Sequence, residues 1–214
     1  GSMIDFSKVN GVIHIGASEG QERFVYDSHD LNVLWIEPIP SVFKQLENNT
    51  RPFRKQKCLN YLLCEEDLKK YSFHISNNNG ESSSIFDLNL HKRIWPSVHY
   101  VNTIEIVGRT LPSIIEENKI DIKYYDMINL DTQGSELLIL KASISVLSQM
   151  KYVYMEVADM DSYAGGCKLE EVDDFFESIG YGRIELIPDK QKNWITEGKY
   201  YQALYQNENS LYTL

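Results

Sequence analysis

The sequence predicts a doubly wound α/β sheet, mostly parallel, finished at its C-terminal edge by an antiparallel hairpin. Three observations carry this expectation. Apolar runs of strand length alternate with helix-patterned stretches along the 214-residue chain, without repeats or a long linker. The first run breaks into a glycine loop, and the second ends in a single acid. Two late segments, 183–187 and 201–205, read as an antiparallel pair.

Taken in order, residues 12–15 form the first strand, and residues 21–29 a polar helix that turns Phe24 and Val25 inward. Residues 33–36 form the second strand. Pro40 and Ser41 open a helix carrying Val42, Phe43 and Leu46 at helical spacing. Residues 58–64 read as a third strand, with 71–75 as its hairpin partner. Alternation across Val101 to Ile106 marks another strand, followed by a helix over 111–118. Residues 127–130 are a buried strand, 136–147 a helix, and 152–157 a further strand. An amphipathic helix over 169–179 closes at Gly180. The stretch 76–98 is polar, turn-rich and too long for a simple connection, so it reads as a lid or flexible loop.

The most informative pair of features is Val12-Ile13-His14-Ile15-Gly16-Ala17-Ser18-Glu19-Gly20 and Glu37-Pro38. Glycines let the backbone turn sharply and approach a ligand closely. An acid at the tip of the second strand, about 20 residues after the first glycine, is placed to accept from both ribose hydroxyls of a nucleoside. A dinucleotide fingerprint needs glycine at its middle position, where this chain has Ser18, and Glu19 would repel a diphosphate. Glu19 tolerates an amino-acid ammonium instead. The pattern therefore favours S-adenosylmethionine over NAD.

Asp131 ends the strand before the turn at Gly134, and Glu156 ends the next, so Glu37, Asp131 and Glu156 crown one sheet edge. Carboxylates there serve as general base, as ligands for a divalent metal, or as substrate acceptors. Asp131 is the first choice for such a role, with Glu156 and His91 as second choices. Glu136 reads simply as an acid in the first turn of a helix. His14 is placed either to bond the cofactor's carboxylate or to sit satisfied in the core. Asn60 and Ser83 complete the cofactor-contacting set.

Composition bounds the rest. The chain is 43% hydrophobic and 24% charged, which fits one globular domain over 1–214. Residues 1–2 read as the scar of a cleaved tag. A net charge of −10 argues against a nucleic-acid or anionic-membrane partner and for a small neutral or cationic substrate. Three scattered cysteines and no signal peptide point to a reducing, cytoplasmic compartment, and no run reaches membrane-span length. The oligomeric state is not legible.

Three blocks resemble the FkbM-type S-adenosylmethionine-dependent methyltransferases. The first is Val12 to Gly20 with Glu37-Pro38, similar to that family's Asp-Val-Gly-Ala-x-x-Gly and Glu-Pro. The second is Thr110-Leu111-Pro112, similar to its Thr-Leu-Asp. The third runs from Asn129-Leu130-Asp131 through Gln133-Gly134-Ser135-Glu136, similar to its Lys-Ile-Asp-x-Glu-Gly-x-Glu. Ser82-Ser83-Ser84 falls where the family often carries serines. His14, Asn129 and Gln133 depart from the pattern, at positions where the family has Asp, Lys and Glu. The resemblance implies a Rossmann-like class I methyltransferase fold and methyl transfer to oxygen, often on sugars or polyketide-derived molecules, with a small acceptor such as a sugar or glycan expected here. Two other classes stand beside it: a catalytically inactive nucleotide-binding domain of the same fold, and an NAD-dependent oxidoreductase.

Overall fold

The computed structural model describes residues 4–76, 100–159, 168–189 and 200–209. Five strands form the parallel part of the main sheet: β1 (Gly11–Ile15), β2 (Asn32–Ile36), β3 (Gln56–Leu59), β7 (Met127–Leu130) and β8 (Tyr152–Ala158). Two antiparallel strands, β9 (Tyr181–Pro188) and β10 (Tyr200–Asn207), complete it in the order β3-β2-β1-β7-β8-β10-β9. The doubly wound sheet and its antiparallel hairpin are as the sequence predicts.

Alternate residues of the central strands face opposite layers, so β1 and β2 read as unbroken apolar runs. Ile13, Ile15, Leu34, Ile36, Ile128 and Leu130 point into one core. That core is covered by α3 (Leu111–Glu117), α4 (Glu136–Lys141), α5 (Ile144–Leu147) and α6 (Leu169–Ser178). Val12, Val33, Trp35 and Met127 point the other way, onto Tyr26 of α1 (Arg23–Ser28) and Leu46 of α2 (Pro40–Thr50).

A second sheet, ordered β4-β6-β5, comprises β4 (Leu62–Leu63), β5 (Lys70–Ser76) and β6 (Tyr100–Arg109). Its Leu62 and Phe73 bury Ile39 at the start of α2. The small sheet therefore braces the loop that follows β2.

Four local expectations are corrected. Residues 58–64 are not one strand: the chain leaves the main sheet after Leu59 and joins the second sheet at Leu62. Asn60 causes the break, because its side-chain amide donates to the carbonyls of Glu37 (2.7 Å) and Pro38 (3.1 Å) in place of a ladder bond. The segment at 71–75 pairs antiparallel with β6, not with the strand before it. The expected 136–147 helix is two short helices, because the Ser143 hydroxyl bonds back to Ile139 O at 2.6 Å and ends the first. Phe24 and Val25 are exposed, and Tyr26 is the inward residue of α1. The Phe24 ring instead meets Phe53 edge-on at 5.5 Å, with the Arg23 guanidinium over its face. Except at its first residue, the 76–98 segment lies outside the described residues.

Gly16 sets the closest approach in the sheet. A Cβ there would lie 1.8 Å from Asp131 O, and its φ is +81°. Gly16→Ala is expected to cost about 2–4 kcal/mol, from left-handed strain plus overpacking. Gly182→Ala, whose Cβ meets only the tip of Glu208, serves as the mild control. Urea unfolding midpoints of the two variants check this.

Candidate functional site

The site is built where the parallel strands end. Gly16 N–H and Ala17 N–H both donate to Ile36 O, at 3.0 and 3.1 Å, so the loop after β1 is stitched to the end of β2. Gly16, Ser18 and Gly20 all have positive φ, and these three turns carry the chain from β1 back over the sheet edge. Ala17 is buried beneath the loop, whereas Glu19 is half-buried and its carbonyl accepts from Asn49 at 2.8 Å.

Glu37 closes the loop from the β2 side. Its Oε1 accepts from Ser18 N–H at 2.8 Å, and its Oε2 from Ile39 N–H at 2.9 Å. The carboxylate thus ties the glycine loop to the start of α2. Burial pushes this carboxyl up to about 7; the two amide bonds oppose the rise, and the charge of Asp131 adds to it. Pro38 is half-buried, and Asn60 holds the Glu37-Pro38 backbone by its two amide bonds.

The register aligns the acids. Ile15 pairs with Ile36 and with Leu130, and Leu130 pairs with Met155. One residue further along each strand come Gly16, Glu37, Asp131 and Glu156. These four form a single row across β2, β1, β7 and β8, as the sequence predicts for the three acids. Asp131 is exposed, its N–H donates to Ile15 O at 2.9 Å, and its Oδ1 accepts from Gln133 Nε2 at 2.9 Å. Glu156 is half-buried and pairs across the ladder with Gln202, whose amide reaches Asp189 at 3.3 Å. Just inward on β8, the Tyr154 hydroxyl is pushed up to about 12, first by burial and then by Glu156, Asp189, Asp131 and Glu22.

His14 lies inward of this row. It is 3% exposed, its Nδ1 is 2.9 Å from the Tyr26 hydroxyl, and its ring packs on Trp35. Of the two roles the sequence left open, this position supports the core role. Burial lowers the imidazole pKa, against the opposing pull of Glu22. His91 and Ser83 lie outside the described residues.

Glu136 is the site residue that sequence reasoning missed. It is 5% exposed, and its Oε2 accepts from Gly134 N–H at 2.7 Å. Burial pushes its carboxyl up to about 7, helped by Asp131 and Glu156. A clue stood in the sequence: an acid followed directly by Leu137-Leu138-Ile139-Leu140 begins a helix too apolar to leave its first turn in water. The Thr110-Leu111 segment has a structural explanation. The Asp67 carboxylate accepts from Thr110 N–H (2.9 Å) and from Ser113 Oγ (2.6 Å), and so caps α3 from outside.

No group of three or more His, Cys, Asp or Glu among the described residues is placed to hold a metal ion. No helix among them is long and apolar enough to cross a membrane.

Comparisons with known proteins agree with this architecture. The Methyltransferase FkbM domain family matches residues 14–182. The 2-O-methyltransferase NoeI of Sinorhizobium fredii is 22% identical over 176 residues, covering 78% of this chain and 71% of that protein. Among solved structures, the StiE O-MT segment superposes with a TM-score of 0.54 at 9% identity, over 96% of this chain and 70% of that one. A chain of the fibrillarin/Nop5p complex gives 0.52 at 14% identity, over 95% and 74%. The chain spans only 61–64% of the length of some other structures of this fold.

The two raised carboxyls generate a pH dependence of stability. Glu37 and Glu136 titrate near 7 when folded, against an ordinary 4.5. Between those values the unfolded chain binds fewer protons than the folded one, so stability falls as pH rises from about 4.5 to about 7. Thermal midpoints across that range should fall, and Glu37→Gln with Glu136→Gln should flatten the slope.

Proposed function

The chain belongs to the FkbM methyltransferase family, and we propose that it transfers a methyl group from S-adenosylmethionine to a hydroxyl of a small acceptor, most naturally a sugar or glycan. The observation that carries the reading is the single row of Glu37, Gly16, Asp131 and Glu156 across the sheet, where β2, β1 and β7 end. The relative named a 2-O-methyltransferase supports oxygen as the acceptor atom.

The residues suit the cofactor. Each Glu37 oxygen accepts one backbone amide and keeps capacity for a second donor, as ribose hydroxyls require. Glu19 stands in the loop where an ammonium would be favoured. When bound, S-adenosylmethionine supplies a methyl carbon made electrophilic by the sulfonium charge. The chain's task is then to hold an acceptor oxygen in line with that carbon and to receive its proton, and such positioning supplies much of the barrier reduction. Asp131 is the exposed acid of the row, with one oxygen bonded to Gln133, and it is the group proposed to take the proton. Glu156, on the neighbouring strand, is the second candidate.

The tests separate binding from chemistry. S-adenosylhomocysteine should raise the melting temperature, and Glu37→Ala should weaken its binding several-fold or more, because charge-assisted hydrogen bonds worth ~1.5–3 kcal/mol each are lost. Asp131→Asn should lower turnover on hydroxyl acceptors by ~10²-fold while leaving S-adenosylhomocysteine affinity within a few-fold. Turnover unaffected by a chelator would assign Asp131 to proton transfer rather than to a metal. If Asp131→Asn abolishes cofactor binding with the fold intact, Asp131 belongs to the cofactor pocket.

A further inference from the structure

The turn that carries Asp131 is unusual in its backbone. Gln133 has φ +57° and Gly134 φ +115°, so two consecutive residues occupy the left-handed half of conformational space, and one of them has a side chain. Such a conformation persists only where surrounding contacts over-determine it. Thr132 does not supply that hold, because its hydroxyl is buried with no hydrogen-bond partner among the described residues. Asp131 itself is fixed from the β1 side, through its N–H bond to Ile15 and the close approach of Gly16 to its carbonyl. On the far side of the turn, Glu136 Oε2 reaches back from a buried position and accepts Gly134 N–H at 2.7 Å, a shorter contact than that of Ser135 Oγ with Thr132 O at 3.5 Å.

We propose that Glu136 is a positioning residue: by holding Gly134 it locks the 132–134 turn, and so fixes Asp131 against the acceptor hydroxyl without touching substrate itself. This rests on the methyl-transfer reading above. The charged groups facing the Glu136 carboxyl are Asp131 on its own turn and Glu156 on β8. Both are acids, and the carboxyl is oriented by backbone amides, those of Gly134 and of Glu136 itself. A bond to a buried acceptor is costly to leave unmade, and that gives the turn its rigidity.

Two substitutions read the role. Glu136→Gln keeps a carbonyl oxygen that can accept from Gly134, whereas Glu136→Ala removes it. Expected for Glu136→Ala is a fall in kcat of ~10-fold or more, in the range of a misplaced catalytic group, with KM for S-adenosylmethionine and S-adenosylhomocysteine affinity within about three-fold. Glu136→Gln should restore most of kcat. In amide exchange, Gly134 should be protected in wild type and Glu136→Gln and exposed in Glu136→Ala. Wild-type kcat in Glu136→Ala, or equal losses in kcat and cofactor affinity in both variants, would overturn the proposal. If wild type transfers no methyl to any hydroxyl acceptor, the functional reading fails and the positioning role with it. The amide exchange of the three proteins then still decides whether Glu136 holds the turn.

Discussion

At residue 16 the first strand passes the end of β7 so closely that only a hydrogen fits between them. A methyl group there would lie 1.8 Å from the carbonyl oxygen of Asp131. This contact couples two things that a transferase must place together: the loop proposed to hold the cofactor and the acid proposed to meet the acceptor. Other features of the site serve that arrangement. Ile36 O takes two amides from the loop, Glu37 ties the loop to α2, and the second sheet buries Ile39 to keep the start of α2 in place. The glycine is therefore a requirement of sheet geometry before it is a requirement of any ligand.

The central architecture was legible because a parallel strand buried on both faces leaves a plain record in sequence, a short apolar run ending in a turn. β1, β2 and β7 fall within a residue of where the pattern puts them. Legibility failed where one polar side chain decides the path. Asn60 diverts the chain into a second sheet and Ser143 splits a helix, each by a hydrogen bond to a backbone carbonyl that periodicity does not encode. The partner of β5 was missed for another reason. Strand pairing is non-local, and nothing within residues 71–75 says which strand lies beside it. In the site, the strand-end acids could be read because they stand at the ends of apolar runs, but Glu136 was hidden by a sufficient local explanation.

Two of the three departures from the family pattern prove to be neighbours. His14 and Asn129 are direct register partners on β1 and β7. The Tyr26 hydroxyl joins them, accepting from Asn129 Nδ2 at 3.1 Å and lying 2.9 Å from His14 Nδ1. Where the resemblance has an acid and a base, this chain has a neutral group on each strand and a shared hydroxyl between them. A buried charge pair and a neutral hydrogen-bonded set can fill the same place, since each satisfies its own polar atoms. The two substitutions therefore read as one compensated change inward of the site, and they do not argue that the reacting edge has been dismantled. Gln133 is different. It stands in the edge turn itself, and its amide bonds to Asp131, which a carboxylate at that position could not do.

The electrostatics of the edge favour a cationic ligand on physical grounds. Glu37, Asp131, Glu136 and Glu156 are held by the fold within each other's field, and two of them are raised to about 7 by burial reinforced by their neighbours. Ionising such a set costs stability. A positive charge lying along the row reverses the sign of that cost, because each carboxylate it approaches is stabilised in its charged form. A sulfonium with an ammonium on the same molecule brings two such charges, whereas a diphosphate brings repulsion. The same arrangement that makes the ligand-free edge expensive near neutral pH would favour an adenosine carrying a sulfonium over one carrying phosphates.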